Sequence, residues 1–156
     1  MQFRKDLPES GGSKNFLKLK DKESISGIFM GELHEFFVAW ENGKSRVVAE
    51  GEDGAKFRFR INFVVKEGAV YVPKIFEQGL TVYRQLSELH DEYGLDSIVC
   101  KITRNGTGTD TTYSLLPLLK QTISKEVALH LAKIELLPLE VHAPKAERQE
   151  ESEPFS

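Results

Sequence analysis

The sequence predicts a mainly β chain folded as one small closed or partly open barrel, and three observations support that reading. Short segments rich in β-branched and aromatic residues recur along the chain. Turn-forming residues separate most of them. One amphipathic helical pattern interrupts the series before its last pair of strands.

Taken in order, residues 1–13 read as a flexible arm, because Pro8 and a Ser-Gly-Gly-Ser run follow a polar stretch. The ordered domain is expected over 14–137. FLKLK, SISGIFMG, EFFVAW, RVVA, KFRFRINFVV, AVYVPKIF, SIVCKIT and TTYSLL are the candidate strands. Asp21-Lys22, Asn42-Gly43, Gly51 to Gly54, Glu67-Gly68 and Asn105 to Gly108 supply the turns. In LTVYRQLSELHDEYG, Val82, Leu86, Leu89 and Tyr93 fall on one helical face, and Gly94 is a natural stop. A second helix is expected from Ser124 as N-cap to Lys133, with Val127, Leu131 and Ile134 as its apolar stripe. Residues 138–156 turn polar and acidic, the composition of a disordered tail. Within the barrel class the favoured architecture is an OB-fold-like five-stranded barrel, with a helix inserted before the last strand pair and a C-terminal helix. A β-sandwich is the alternative, although a mid-chain helix is less natural there.

At 156 residues the chain suits one domain. No stretch has the apolar length of a membrane span, and the polar amino terminus lacks a signal-peptide core, so a cytoplasmic setting is expected. The single cysteine, Cys100, has no disulfide partner, and the histidines at 34, 90, 130 and 142 lack neighbouring ligands at zinc spacing. No metal and no cofactor are expected. The formal net charge of −3 conceals a segregated distribution. Residues 14–22 carry four Lys against one Asp, and residues 54–74 carry five Lys or Arg against one Glu. Acids gather at Glu88, Asp91, Glu92 and Asp96 and again after residue 143.

KFRFRINF is the most informative string. Alternation in a strand sends Phe57, Phe59, Ile61 and Phe63 to one face and Lys56, Arg58, Arg60 and Asn62 to the other. A solvated outer face is the plain reading of such a basic row. Scarce acids nearby, together with Lys18, Lys20, Lys74, Lys101 and Arg104 on other strands, favour a track for a phosphate backbone. EFFVAW places Phe36, Val38 and Trp40 on one face and Phe37 and Ala39 on the other, so its aromatics cannot all enter one core. Trp40, with Lys44 and Arg46 beyond the Asn42-Gly43 turn, is the first candidate for stacking on a base, followed by Phe37 and Tyr71. Burial of Trp40 in the core is the competing reading. Interleaved cations and rings are the chemistry of sequence-tolerant single-strand binding.

The tail residues Glu150, Glu151 and Glu153 lead into Phe155. Acidic tails often only solubilise; an embedded aromatic also suits insertion into a partner protein, while the acids can compete for a basic groove. Gly106 and Gly108 lack the following Gly-Lys-Ser/Thr of a phosphate loop. No nucleophile or acid–base cluster is evident, so no enzymatic activity is expected.

FLKLKDKESISGIFMG, WENGKSR, FRFRINF, KIFEQGLTVYRQLSELH and CKITRNGTGTDTTYSLLP, in that order over residues 15–118, resemble the single-stranded DNA-binding proteins of tailed bacteriophages, which have an OB-fold core. The resemblance implies a protein that coats strands exposed during phage DNA replication, recombination or repair. It also implies that the KFRFR strand, Trp40 and the Thr103 to Tyr113 hairpin border the DNA, and that the acidic tail docks replication or recombination proteins or regulates DNA access. Two features depart from that pattern: there is no ligand set for the zinc that some members carry, and Ser156 follows the tail aromatic. A homo-oligomer is compatible with the sequence and not specified by it. The rival function is a viral protein-interaction module acting on host replication or transcription machinery.

Overall fold

The computed structural model of the protein describes residues 15–141. The expected arm and the tail residues Glu150, Glu151, Glu153 and Phe155 lie outside these residues.

SISGIFMG and EFFVAW are parts of one 18-residue strand, β1 (Ser24–Glu41). The strand stays continuous because its pairing with β3 (Lys56–Glu67) shifts between Met30 and His34, where residues 31–33 oppose Ile61 alone. Two extra residues make a bulge that bends the strand without exchanging its faces. Gly31, at φ 84°, supplies the backbone conformation at this point. A two-residue turn with Asn42 and Gly43 both at positive φ leads to β2 (Lys44–Val48), as a tight hairpin requires. After β3 come β4 (Val70–Gly79), α1 (Leu80–Tyr93), β5 (Cys100–Asn105), β6 (Thr112–Pro117) and α2 (Lys125–Leu131).

The strands form one antiparallel sheet in the order β4-β3-β1-β5-β6, with β2 also paired to β1. Among the described residues there are thus six strands rather than the expected five, and no pairing joins β4 to β6 to close a barrel. FLKLK, an expected strand, makes a single parallel bridge from Phe16 to Ile75. Its continuation turns at Lys22, at φ 68°, and bonds to β5 through Lys22 N–H to Arg104 O at 2.7 Å. The segment therefore crosses the opening instead of lining up as a strand. The Phe76 ring of β4 meets Tyr113 of β6 at 5.9 Å, so the sheet curls until its two edges touch through side chains.

The inner face holds the main core, in which Phe29, Phe59, Phe63, Cys100 and Ile102 are fully buried. Helix α1 covers this core with Val82 and Leu86, and with Leu89 and Tyr93 half-buried at its edge. Gly94 ends the helix, its N–H bonding to His90 O at 2.9 Å. Gly27 lies where β1 is paired on both sides, and a Cβ there would sit 2.5 Å from Val64 O. The second helix starts as expected, Ser124 Oγ accepting the Val127 N–H at 3.1 Å, and ends at Leu131, short of Lys133. It covers part of the outer face, burying Leu131 with Ile28 and Val64.

Beyond α2 the chain runs over the same face. Asn62, only 2% exposed, donates to Leu137 O at 3.0 Å and accepts from Leu137 N–H at 2.9 Å. Val141 N–H donates to His34 Nε2 at 3.2 Å, so the ordered body passes the Pro138 boundary suggested by composition. Truncating a buried amide that satisfies two backbone groups costs about 1–3 kcal/mol. Asn62→Ala should lower unfolding stability by that amount in a denaturant titration, and should raise amide exchange at Leu137.

Candidate functional site

Register determines which side chains meet on the outer face at the end of the sheet away from α2. Phe36 pairs with Arg58 and Val38 with Lys56 across β1 and β3. Arg58 pairs with Gly79 and Arg60 with Glu77 across β3 and β4, and Trp40 pairs with Ser45 across β1 and β2. Directly opposed residues share a sheet face. Phe36, Val38, Trp40, Lys56, Arg58, Arg60 and Glu77 therefore project from one side, as alternation in KFRFRINF and EFFVAW predicts for the first six.

Between them lies a cleft of about 540 Å³, bounded by Val38, Trp40, Ser45, Lys56, Phe57, Arg58, Glu77, Gly79 and Leu80. Trp40 is 66% exposed and Leu80 42%, so both apolar side chains face solvent at the cleft. The reading of Trp40 as a core residue is therefore excluded. Helix α1 begins at this cleft with Gly79 as N-cap, no side-chain cap bond and no acid in its first turn. Its free N–H groups add partial positive charge beside Arg58.

The cations are partly engaged. Arg58 Nε and Nη2 donate to Glu77 Oε2 at 3.3 and 3.2 Å, and Arg60 Nε donates to Glu77 Oε1 at 2.8 Å. The Arg60 guanidinium also lies over Phe16 at 5.0 Å and Phe36 at 5.5 Å, which fixes it at the back of the site. Lys56 is exposed at the cleft.

Several expected site residues are directed elsewhere. Lys44 opposes Glu41, and Arg46 opposes Ala39, on the sheet face away from Trp40. Arg46 is held by Glu41 at 2.6 Å and Glu52 at 2.8 Å. Phe37 shares that other face and meets Phe57 edge-on at 5.7 Å. Lys74 opposes Phe63 rather than an outer-face residue and lies 3.6 Å from Glu67. Arg104 is a structural clamp, donating to Leu19 O at 2.7 Å and Gly106 O at 3.2 Å. Tyr113 packs on Phe76 in the curl of the sheet. Tyr71 opposes Lys66, and roughly 33 Å of extended β3 separates Lys66 from Lys56. Its ring lies against His130 of α2 at 5.3 Å, which makes it a packing residue.

Lys101 is on the outer face opposite Ser26 and Leu116, on the far side of β1 from the cleft strands. Lys18 and Lys20 are exposed on the crossing segment. Of the fourteen residues expected to contact DNA, the cleft brings together Trp40, Lys56 and Arg58, with Arg60 behind them. Glu77 and Leu80 were not singled out in the sequence. Leu80 stands off the Val82-Leu86 stripe of α1, a weak sign of exposure, whereas nothing local to Glu77 reveals which strand it will face.

No protein-family model, curated protein or solved structure matches this chain. The assignment of the site therefore rests on its own chemistry. Among the described residues no group of three or more His, Cys, Asp or Glu is placed to hold a metal ion. None of their helices is long and apolar enough to cross a membrane. Burial pushes the Cys100 thiol up to about 11.

Three measurements check this geometry. Trp40 is the only tryptophan, so intrinsic fluorescence of the folded protein should show water-like emission and full quenching by acrylamide. Trp40→Ala should change stability by less than about 0.5 kcal/mol, as exposed substitutions do, whereas Phe59→Ala should cost about 3–5 kcal/mol. At pH 8 the thiol of Cys100 should resist a disulfide-forming reagent until the protein is unfolded, because the buried group stays protonated well above its ordinary range.

Proposed function

We propose that the chain is a non-enzymatic, sequence-tolerant single-stranded DNA-binding protein, with the Trp40–Lys56–Arg58 cleft as its principal contact. The exposed Trp40 ring beside two cations is the observation that carries this reading. An indole that is 66% exposed and lines the same cleft as Lys56 offers stacking to any base, worth about 1–3 kcal/mol per base, while the cations take adjacent phosphates. The uncapped start of α1 favours an anion at the same place. The long bent first strand, shared between β3 and two other partners, together with the helix before the β5–β6 pair, supports an OB-fold-like assignment for this open sheet.

On the resemblance of its sequence segments to phage proteins of this activity, the biological role would be to coat exposed strands during replication, recombination or repair in the host cytoplasm. The same resemblance makes the tail around Phe155 a docking segment for replication or recombination proteins. Lys101 and the crossing-segment lysines Lys18 and Lys20 would attract the strand without building the cleft.

Titration with oligo-thymidylate should quench Trp40 fluorescence and saturate. With three cations on the cleft face, log affinity should fall against log salt with a slope near −2, at about −0.7 per phosphate on a single strand. Lys56→Ala combined with Arg58→Ala should weaken binding to all base sequences alike. Lys44→Ala, on the opposite face, should leave affinity within about twofold. Unaltered fluorescence at saturating oligonucleotide and no shift in electrophoretic mobility would refute the reading and favour a protein-interaction module. An oligoribonucleotide arm decides between DNA and RNA.

A further inference from the structure

We infer that Glu77 is an internal competitor of the phosphate backbone, engaging in the free protein the Arg58 guanidinium that a strand's phosphate takes. This rests on the proposed reading of the cleft and names a device that regulates it. A carboxylate and a phosphate present the same pair of oxygens to a guanidinium, and both prefer two-point contact. Glu77 uses both oxygens: Oε1 accepts from Arg60 at 2.8 Å, and Oε2 accepts from two nitrogens of Arg58 at 3.2 and 3.3 Å. The two arginines are thus held by one anion.

The two ends of this contact are unequal. Arg60 is clasped by two rings and a short bond, and its side chain is 21% exposed. Arg58 is 33% exposed, its bonds to Glu77 are longer, and it lines the cleft next to Lys56. Long, partly exposed contacts of this kind hold less firmly than the short, clasped one at Arg60, so an incoming phosphate can take Arg58 from Glu77 while Arg60 keeps it. The carboxylate then lies beside a bound phosphate and repels it. Glu77 lowers affinity in this way, and it keeps the Arg58 fork oriented toward the anion position when no strand is present. Replacing the charge while keeping the shape should therefore tighten binding and raise the number of counterions displaced.

Glu77→Gln should bind oligo-thymidylate about threefold to tenfold more tightly than wild type at low salt, with the salt slope steeper by up to about 0.7. Arg58→Ala should then weaken the Glu77→Gln protein by a larger factor than it weakens wild type, because in wild type part of the arginine's interaction belongs to Glu77. A purely structural Glu77 would leave that ratio unchanged. Glu77→Asp, which keeps the charge and retracts it, should fall between wild type and Glu77→Gln, and serves if thermal melting shows Glu77→Gln unfolded. Equal or weaker binding by the folded variants, with wild type binding normally, overturns the competitor role alone. Failure of wild type to bind the oligonucleotide at all removes the reading of the cleft instead.

Discussion

The alternation of apolar and cationic residues along β3, clamped between β1 and β4, is the constraint on which the rest of the molecule depends. Phe59 and Phe63 are fully buried and Ile61 nearly so, while Lys56, Arg58 and Arg60 alternate with Phe57, Phe59 and Ile61 in sequence. A slip of one residue in register would place three cations in the core and three apolar side chains in water. Burial of each large apolar side chain contributes about 1.5–3 kcal/mol, and an unpaired buried charge costs more than that, so the two penalties add and a single register survives. Once β3 is locked, its neighbours have no freedom either. Phe36, Val38 and Trp40 must join the cations, and Glu77 must arrive opposite Arg60.

The outer face so produced is divided by its own chemistry. Where it is apolar, at Ile28, Met30 and Val64, α2 and the chain after it settle and bury it. Where it is polar, at Asn62 and His34, the covering chain is attached by hydrogen bonds to its backbone. Where Lys56 and Arg58 stand, the face lines the cleft. That stretch carries Trp40 and the cleft, and the proposed contact with a polyanion rests on it. Glu77 moderates the charge of that stretch, which is why a segment count of cations overstates what the cleft presents.

The secondary structure was largely legible in the sequence. The Asn42-Gly43 hairpin, the α1 stripe with Gly94 as its stop, the Ser124 cap and the buried Cys100 follow from local rules of φ, capping and periodicity. The division of faces within KFRFRINF and EFFVAW was legible for the same reason. The continuity of β1 through its bulge was not, because Gly31 to Leu33 reads locally as a break. Nor was the fate of FLKLK, whose alternation suits a strand but whose partner edge offers a single bridge.

Residues 15–141 by themselves determined where strands and helices form and which side chains of each strand share a face, since both depend on the backbone geometry of a few neighbouring residues. Only the tertiary structure decided which faces meet. Cross-strand register separated Lys44 and Arg46 from Trp40 across the thickness of the sheet, spent Arg104 on the Leu19 carbonyl of the crossing segment, and carried Tyr71 to the far end of β3. It also brought Glu77 between two arginines that lie about twenty residues earlier in the chain. Contacts of that sequence separation depend on pairing between strands, and no local pattern encodes the partner.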